Sequence, residues 1–486
     1  MPPSAIVWFR QDLRLADNPA LTEALKRGFS VIPVYIHAPD EEGKWTTGGA
    51  TKFWLHQSLK SLANDLRSHK SHLILRQAHS SLDELRKLIH ETGATAIFWN
   101  RRYEPAVIER DSKIKESLSE QNVEVHSFNA SLLFEPWTIK NKSDKPFRVF
   151  TPFWRHCSSL SEPALPLPIP ANIKSPSKFP CTGILDDFEL EPKIKWAEGI
   201  RKAWTPGEEG AHAQLEKLIG NVLQNYSEGR NRPDRVGVSR ISPHLHFGEI
   251  GPRQIWHRVK HEVGTKGGAK SKEGAQIYLK EIVWREFAYH LLYHFPHTQS
   301  LPLDENFEHF PYKRDARSLK RWQKGLTGYP LVDAGMRELW HTGWMHNRVR
   351  MVVSSFLVKD LLLPWQTGAK WFWDTLVDAD LASNTMGWQW VAGCGADAAP
   401  FYRVFNPTLQ GKKFDPNGDY VRKWVPELAG LEGDKIHTPW LLSDEELDQA
   451  GIVLGESYPT PIVDHAAARL RALDALKSIK EDTILK

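Results

Sequence analysis

Short apolar runs alternate with amphipathic stretches through the first 130 residues. The apolar runs fall at Ala5–Phe9, Val31–Ile36, His72–Leu75, Ala96–Trp99 and Val123–Phe128. Helix-like stretches such as Thr51–Ser68 and Leu82–His90 lie between them. Strands alternating with helices predict an α/β unit, a doubly wound parallel sheet covered on both faces. Such sheets bind ligands at the C-terminal ends of their strands. No P-loop and no GxGxxG run appears, so no nucleoside triphosphate or dinucleotide site is indicated there. From about Thr205 the strand signal fades and helical spacing takes over. Leu279, Ile282, Val283, Glu286 and Phe287 follow it, as do Val352, Val353, Phe356 and Leu357. Between the halves, residues 160–195 carry Pro163, Pro166, Pro168, Pro170, Pro176, Pro180 and Pro192. Proline fixes φ and removes a donor, so this segment reads as an extended surface connector. The predicted organisation is 1–131 α/β, 132–204 linker and 205–486 all-α.

Composition narrows the setting. No stretch approaches the roughly 18 uninterrupted apolar residues of a membrane span. Met1 leads directly into a strand-like run, without a signal-peptide pattern. The three cysteines, Cys157, Cys181 and Cys394, are too scattered for a disulfide framework or a zinc site. A reducing, cytoplasmic compartment is expected, and no metal. The net charge of +4 does not announce nucleic-acid binding, so any basic face must be local. Tryptophan is the outlier at 20 residues.

The densest chemistry lies between Gly343 and Pro407, in GWMHNRVRM, DADLASNTMGWQW and FYRVFNP. The second segment gathers Asp378, Asp380, Asn384, Trp388 and Trp390. Carboxylates and an amide can hydrogen-bond the edge of a flat heterocycle, while indoles stack or carry electrons. That set suggests light-driven redox chemistry more than hydrolysis.

These segments resemble the flavin-binding core of the photolyase and cryptochrome family. The likeness extends to IVWFRQDLRLADN at Ile6–Asn18, EIVWREFAYHLLYHFP at Glu281–Pro296, TGYPLVDAGMRELWHTGWMHNRVRM at Thr327–Met351 and YPTPIVDH at Tyr458–His465. The resemblance implies that 205–486 binds FAD and that 1–131 serves a second, antenna chromophore. Flavin contacts carry over to Tyr226, to Val238, Ser239, Arg240, Ile241 and Ser242 as a phosphate-holding loop, and to Arg285, Asn347, Arg350, Asp378, Asp380 and Asn384. The family usually has Thr where Val238 stands, which removes one hydroxyl contact. Arg350 is the implied partner of Asp378, and Asp380 would accept from the isoalloxazine edge. Asn384 falls beside flavin N5, where photolyases usually carry Asn, plant cryptochromes Asp and animal cryptochromes Cys.

Glu281, Trp284, Asn347, Met351 and Trp390 match the positions that hold a cyclobutane pyrimidine dimer. Trp284 and Trp390 would sandwich its apolar wedge, with Met351 filling the gap. On the residues alone, Glu281 reads as a salt-bridge partner of Arg285. His346 precedes Asn347, but the second histidine typical of enzymes for the six-four photoproduct is absent. Arg348, Arg403, Lys412, Lys413, Arg230 and Arg232 would form a basic rim for UV-damaged DNA. Trp388 and Trp365 match the first members of the photoreduction chain. Tyr312 aligns with its terminal Trp, and a branch through Trp371 or Trp373 is the alternative. NRRYEP at Asn100–Pro105 and FRVFTPFWR at Phe147–Arg155 resemble the class III subgroup. That implies methenyltetrahydrofolate as antenna, with 8-hydroxy-deazaflavin as the alternative. The expected function is repair of cyclobutane dimers by a monomer. The rival is a cryptochrome-type photoreceptor without repair activity.

Overall fold

A computed structural model describes residues 3–265, 268–398 and 402–484. Of the FYRVFNP segment, Phe401 lies outside the described residues. The first half holds five parallel strands: β1 Ser4–Phe9, β2 Ser30–His37, β3 Ile74–Gln77, β4 Ala96–Asn100 and β5 Glu124–Phe128. Their order is β3-β2-β1-β4-β5, so the chain reverses direction of growth between β1 and β4. Ala5 on β1 stands opposite Val31 on one side and Ala96 on the other. Crossover helices α1 Pro19–Lys26, α2 Gly49–Ser68, α3 Ser81–Thr92 and α4 Pro105–Glu120 cover both faces. This is why β1, β2 and β4 are apolar almost throughout and buried, while β5 at the edge is only half-buried.

The predicted linker 132–204 is not extended throughout, since it holds the helices Phe150–Ser159 and Glu198–Ala203; its proline-rich part, residues 161–184, has no helix or strand and doubles back over the sheet domain. Asp17 N–H donates to the Leu167 carbonyl at 2.8 Å and Val31 N–H to the Lys174 carbonyl at 2.7 Å. Gly183 N–H donates to the Leu75 carbonyl at 2.8 Å. Ile173, Phe188 and Leu190 are buried beneath this strap.

The second half is helical. Its frame is α5 Ala269–His294, α6 Pro330–Thr342, α7 Asn347–Ser355, α8 Trp365–Thr375, α9 Leu381–Ala392 and α10 His465–Ile484. Leu279, Ile282, Val283, Glu286 and Phe287 all lie on the buried side of α5. Val352 and Val353 are buried on α7, but the helix does not run on regularly through Phe356 and Leu357. Those residues open a π-helical turn, Phe356–Asp360. Such turns insert one residue into the ladder and are frequent at functional sites. Among the described residues, no helix is long and apolar enough to cross a membrane.

Candidate functional site: a polar chain between helices

Asp380 ends the DAD turn as the N-cap of α9, its Oδ1 accepting from Ser383 N–H at 2.7 Å. Its Oδ2 accepts from the Tyr289 hydroxyl of α5. Both oxygens keep a second lone pair for a ligand donor. Asp378 is buried and pairs with Arg350 of α7, whose Nη2 lies 2.8 Å from Oδ2. Ser242 Oγ donates to the same Oδ2 at 2.6 Å. Arg350 also donates Nε–H to the Met345 carbonyl at 2.7 Å. The predicted Arg350–Asp378 pair is therefore present, and it reaches the 238–242 loop through Ser242.

That loop turns sharply. Arg240 has φ +53°, in the left-handed region that a non-glycine residue seldom occupies. Its guanidinium is held in place by indoles, 4.1 Å from the Trp204 ring and 5.0 Å from Trp344. The helix that follows, Ser242–His246, is only five residues long. Its dipole is correspondingly short, and an anion here would rest on backbone amides and hydroxyls more than on a helix field. Tyr226 lies behind the loop, edge-on to Tyr278 at 5.3 Å. Burial raises the Tyr278 pKa, and the Ser239 side chain of the loop partly offsets it. Sequence reasoning missed Tyr278, although it precedes Glu281 by one helical turn on α5. Gly229 and Gly237 pass so closely that a Cβ on Gly237 would sit 2.2 Å from the Gly229 carbonyl oxygen.

The residues expected to hold a dimer are half-buried or exposed around the same helices. Glu281 pairs with Arg230 at 2.7 Å, not with Arg285. Arg285 instead donates to the Ser131 carbonyl at 2.6 Å and lies over the Tyr289 ring. Burial raises the pKa of Glu281, against the pull of Arg230. Trp284 departs from the expected sandwich on one side. Phe150 stacks on it at 3.6 Å between centroids, 7° from parallel, so that face is taken by protein. Asn347 opens α7 and is exposed, and Met351 lies one turn on with Arg348 Nη1 3.7 Å from its Sδ. His346 caps α7 by accepting from Arg348 N–H. Its imidazole is neutral, because burial first and then Arg348 and Arg350 pull its pKa down to about 3.

Asn384 donates Nδ2–H to the Ala369 carbonyl at 3.0 Å, which fixes the amide's orientation. Trp388 lies against α8, and a Cβ on Gly368 would come within 2.1 Å of its ring. Its nearest recorded ring neighbours are Phe372 at 5.0 Å and Trp322 at 6.3 Å, while Trp365 is buried at the start of α8. Tyr312 packs against Phe310 at 4.7 Å, and burial holds its hydroxyl far above its ordinary pKa. Trp371 stacks on Trp340 at 5.9 Å, 3° from parallel, and Trp340 meets Trp196 at 5.5 Å. Trp340 is 48% exposed, so this aromatic ladder reaches solvent. Trp373 instead meets Trp45 edge-on at 5.3 Å.

The basic rim is partly neutralised. Arg230, Arg232 and Lys412 sit in ion pairs with Glu281, Asp234 and Asp434. Arg348 lies over Phe414 and donates to Asn231, Lys413 lies over Phe414, and Arg403 lies over Trp390. Among the described residues, these three have no carboxylate partner within salt-bridge distance.

A flavin fits the donor set. The Arg350–Asp378–Ser242 chain offers donors and acceptors side by side, as an imide edge and a ribityl diphosphate require. The buried Nε of Arg240 and Nε1 of Trp388 have no protein partner.

Residues 278–478 match the model for the FAD binding domain of DNA photolyase, and residues 5–171 match that for DNA photolyase. A deoxyribodipyrimidine photo-lyase of Agrobacterium fabrum is 48% identical, covering 98% of each chain. This chain belongs to the photolyase and cryptochrome family. Cryptochrome-1 of Arabidopsis thaliana is 42% identical over 98% of this chain and 70% of its own length. A bacterial class III photolyase from Agrobacterium tumefaciens superposes with a TM-score of 0.95, at 46% identity, covering 99% of this chain and 98% of that one. A Synechocystis cryptochrome gives 0.88 at 32% identity, covering 98% of this chain and 99% of that one.

In the sheet half of this photolyase-family chain, a cleft sits at the C-terminal ends of β1 and β2, where doubly wound sheets take ligands. His246, Phe247 and Trp373 line it from the helical side.

Proposed function

We propose that this chain is a light-driven deoxyribodipyrimidine photo-lyase, a carbon–carbon lyase that splits cyclobutane pyrimidine dimers in DNA. When bound, reduced FAD supplies the photoexcited electron that opens the dimer and takes it back afterwards. The observation that carries the reading is one cluster: the Ser242–Asp378–Arg350 chain, with Asp380 capping the helix that carries Asn384, beside the packed pair α5 and α9 that bears Glu281, Trp284 and Trp390. Ser242, Arg350, Asp378, Asp380 and Asn384 bind and orient the flavin, with Tyr226, Ser239, Arg240, Ile241 and Arg285 holding the surrounding wall. Asn384, an amide, stays neutral and can serve either protonation state of a ring nitrogen. Trp390 and the free face of Trp284 exclude water from a flipped dimer, and Glu281, Asn347 and Met351 meet its edges. Preorganised dipoles of this kind stabilise developing charge without reorganisation. Arg348, Arg403 and Lys413 contact phosphates and position the strand without reading its sequence.

The photoreduction route runs from Trp388 by way of α8. A buried tyrosine gives up its proton reluctantly, so the solvent-reaching Trp371–Trp340 stack is the better terminus than Tyr312. The antenna occupies the cleft at the C-terminal strand ends. A methenyltetrahydrofolate is the preferred occupant, with 8-hydroxy-deazaflavin second. Support comes from the indole N–H groups of Trp8 and Trp45 and the Nε–H of Arg10, which are buried and lack protein partners. The protein works as a monomer in the cytoplasm, where its free Cys157, Cys181 and Cys394 stay reduced.

The deciding experiment reduces the flavin-loaded protein, adds DNA carrying a thymine dimer and follows recovery of thymine absorbance under blue light against a dark control. Light-dependent recovery is expected. Absence of recovery from protein with photoreduced flavin would assign the chain to the photoreceptors instead.

A further inference from the structure

Lys359 is a cation that neither the flavin site nor the DNA rim uses. It is 2% exposed, on the π-helical turn after α7. Among the described residues, no carboxylate lies within salt-bridge distance of it. Its own neighbour Asp360 turns the other way, towards His465 of α10, and Arg471 takes the Asp360 carbonyl. The ammonium instead donates to the Arg403 carbonyl and lies 4.2 Å over the Tyr402 ring. One turn earlier, Ser355 Oγ accepts from Phe405 N–H at 3.2 Å. The stretch 402–405, which has no helical or strand hydrogen bonds of its own, is thus pinned at two backbone points by one helix end. Beside the pins is a small pocket lined by Lys359, Trp390, Gly393, Asp397, Arg403 and Phe405. Arg403 reaches over Trp390 at 6.0 Å.

An unpaired buried ammonium is expensive, and a methionine would fill the same volume without that penalty. Packing therefore does not explain it. What lysine adds is a charge-assisted bond to a stretch of backbone outside any helix or strand, placed under the arginine that lies over Trp390. We propose that Lys359 is a positioning residue for lesion recognition. Its ammonium holds the Arg403 carbonyl, and so aims the Arg403 guanidinium at the phosphate beside a dimer seated on Trp390. The proposal rests on the reading of Trp390 and Arg403 given above.

The proton on Lys359 is within reach of ordinary pH. Burial pulls its pKa down to about 7, with Asp360 opposing and Arg403 adding a smaller downward pull. The other titratable groups facing it are Cys394, Tyr402, Asp360 and Asp397. Burial holds the Cys394 thiol and the Tyr402 hydroxyl protonated, and Asp360 and Asp397 are both shifted upwards by burial. Selectivity for damaged over undamaged DNA should then fall as pH rises through about 7, as the ammonium is lost.

The test measures affinity for a duplex with one thymine dimer and for the same duplex undamaged, across pH, on flavin-loaded protein. Lys359→Met is expected to lower selectivity about tenfold, the loss of one charge-assisted contact, and to leave a flat pH profile. In an Arg403→Ala background the same change should have no further effect, because both residues act through one contact. A flat wild-type profile, or a variant that keeps the slope, overturns the proposal, and the wild-type profile decides even if the variant loses its flavin. A wild type with no preference for the dimer overturns the functional reading and this proposal together. A wild type that prefers the dimer while Lys359→Met matches it overturns this proposal alone.

Discussion

Glu286 sits inside α5, 3% exposed, five residues beyond Glu281 and two beyond Trp284. Its Oε2 accepts from Leu133 N–H at 2.8 Å and Phe134 N–H at 3.2 Å, while Oε1 has no partner. Burial outweighs Arg285 and the two amides and pushes its pKa from 4.5 to about 7. A shift of that size is worth about 3 kcal/mol. Below pH 4.5 the carboxyl is neutral in both folded and unfolded chains. Between 4.5 and about 7 the folded state holds the proton more tightly, so its stabilising effect is lost as pH rises through that window. Glu286→Gln keeps an oxygen for the two amides and cannot ionise. Its advantage over the wild type should be near zero at the acid end, grow to at most about 3 kcal/mol and then stay level. With 486 residues and an unfolding entropy of roughly 2 cal/mol/K per residue, this corresponds to a melting-point gain of about 3 °C. Paired scanning calorimetry of the two flavin-loaded proteins at several pH values makes the measurement. A gain that is absent above neutrality, or equally large in acid, would refute the assignment of a neutral, desolvated carboxyl to this position.

Asp378→Asn removes the partner of a partly buried arginine, at a cost of about 3 kcal/mol, and should weaken flavin retention roughly a hundredfold. The bound-flavin absorbance per protein after dialysis checks this, and an unchanged ratio counts against Asp378 as a flavin anchor. Gly368→Ala places a Cβ into the Trp388 ring and should slow photoreduction by steady blue light while leaving DNA affinity intact. Tyr312→Phe should photoreduce at the wild-type rate, whereas Trp340→Phe should be several-fold slower. The reverse order would restore Tyr312 as the terminus.

The strands were legible because a sheet covered on both faces demands near-continuous apolar runs, as in Val31–Ile36. The third strand starts at Ile74 rather than His72, because pairing begins only where Ile74 meets Val34. Local periodicity carries no record of that register. The Arg350–Asp378 pair came from resemblance, since Arg350 lies on α7 and Asp378 in the turn before α9. Glu281 shows the limit of nearest-neighbour reasoning. Arg285 is one turn away along α5, yet the chain brings Arg230 to the carboxylate from another segment. Tyr278 and Phe150 were overlooked for a related reason. An aromatic on a buried helix face reads as core until the loop or ring it touches is known. The π-helical turn after α7 was equally hidden, because Phe356 and Leu357 keep an apolar pattern compatible with regular helix.

The strap over the sheet has a bearing on how the protein is made. Backbone groups of Asp17, Val31 and Leu75 find their partners only in residues 167–183. During synthesis the sheet can gather early, but its rim stays open until the ribosome has released the strap as well. An exposed strand rim invites pairing with other chains. A pause in translation before that point would leave the nascent chain most vulnerable to aggregation, and one after it would not.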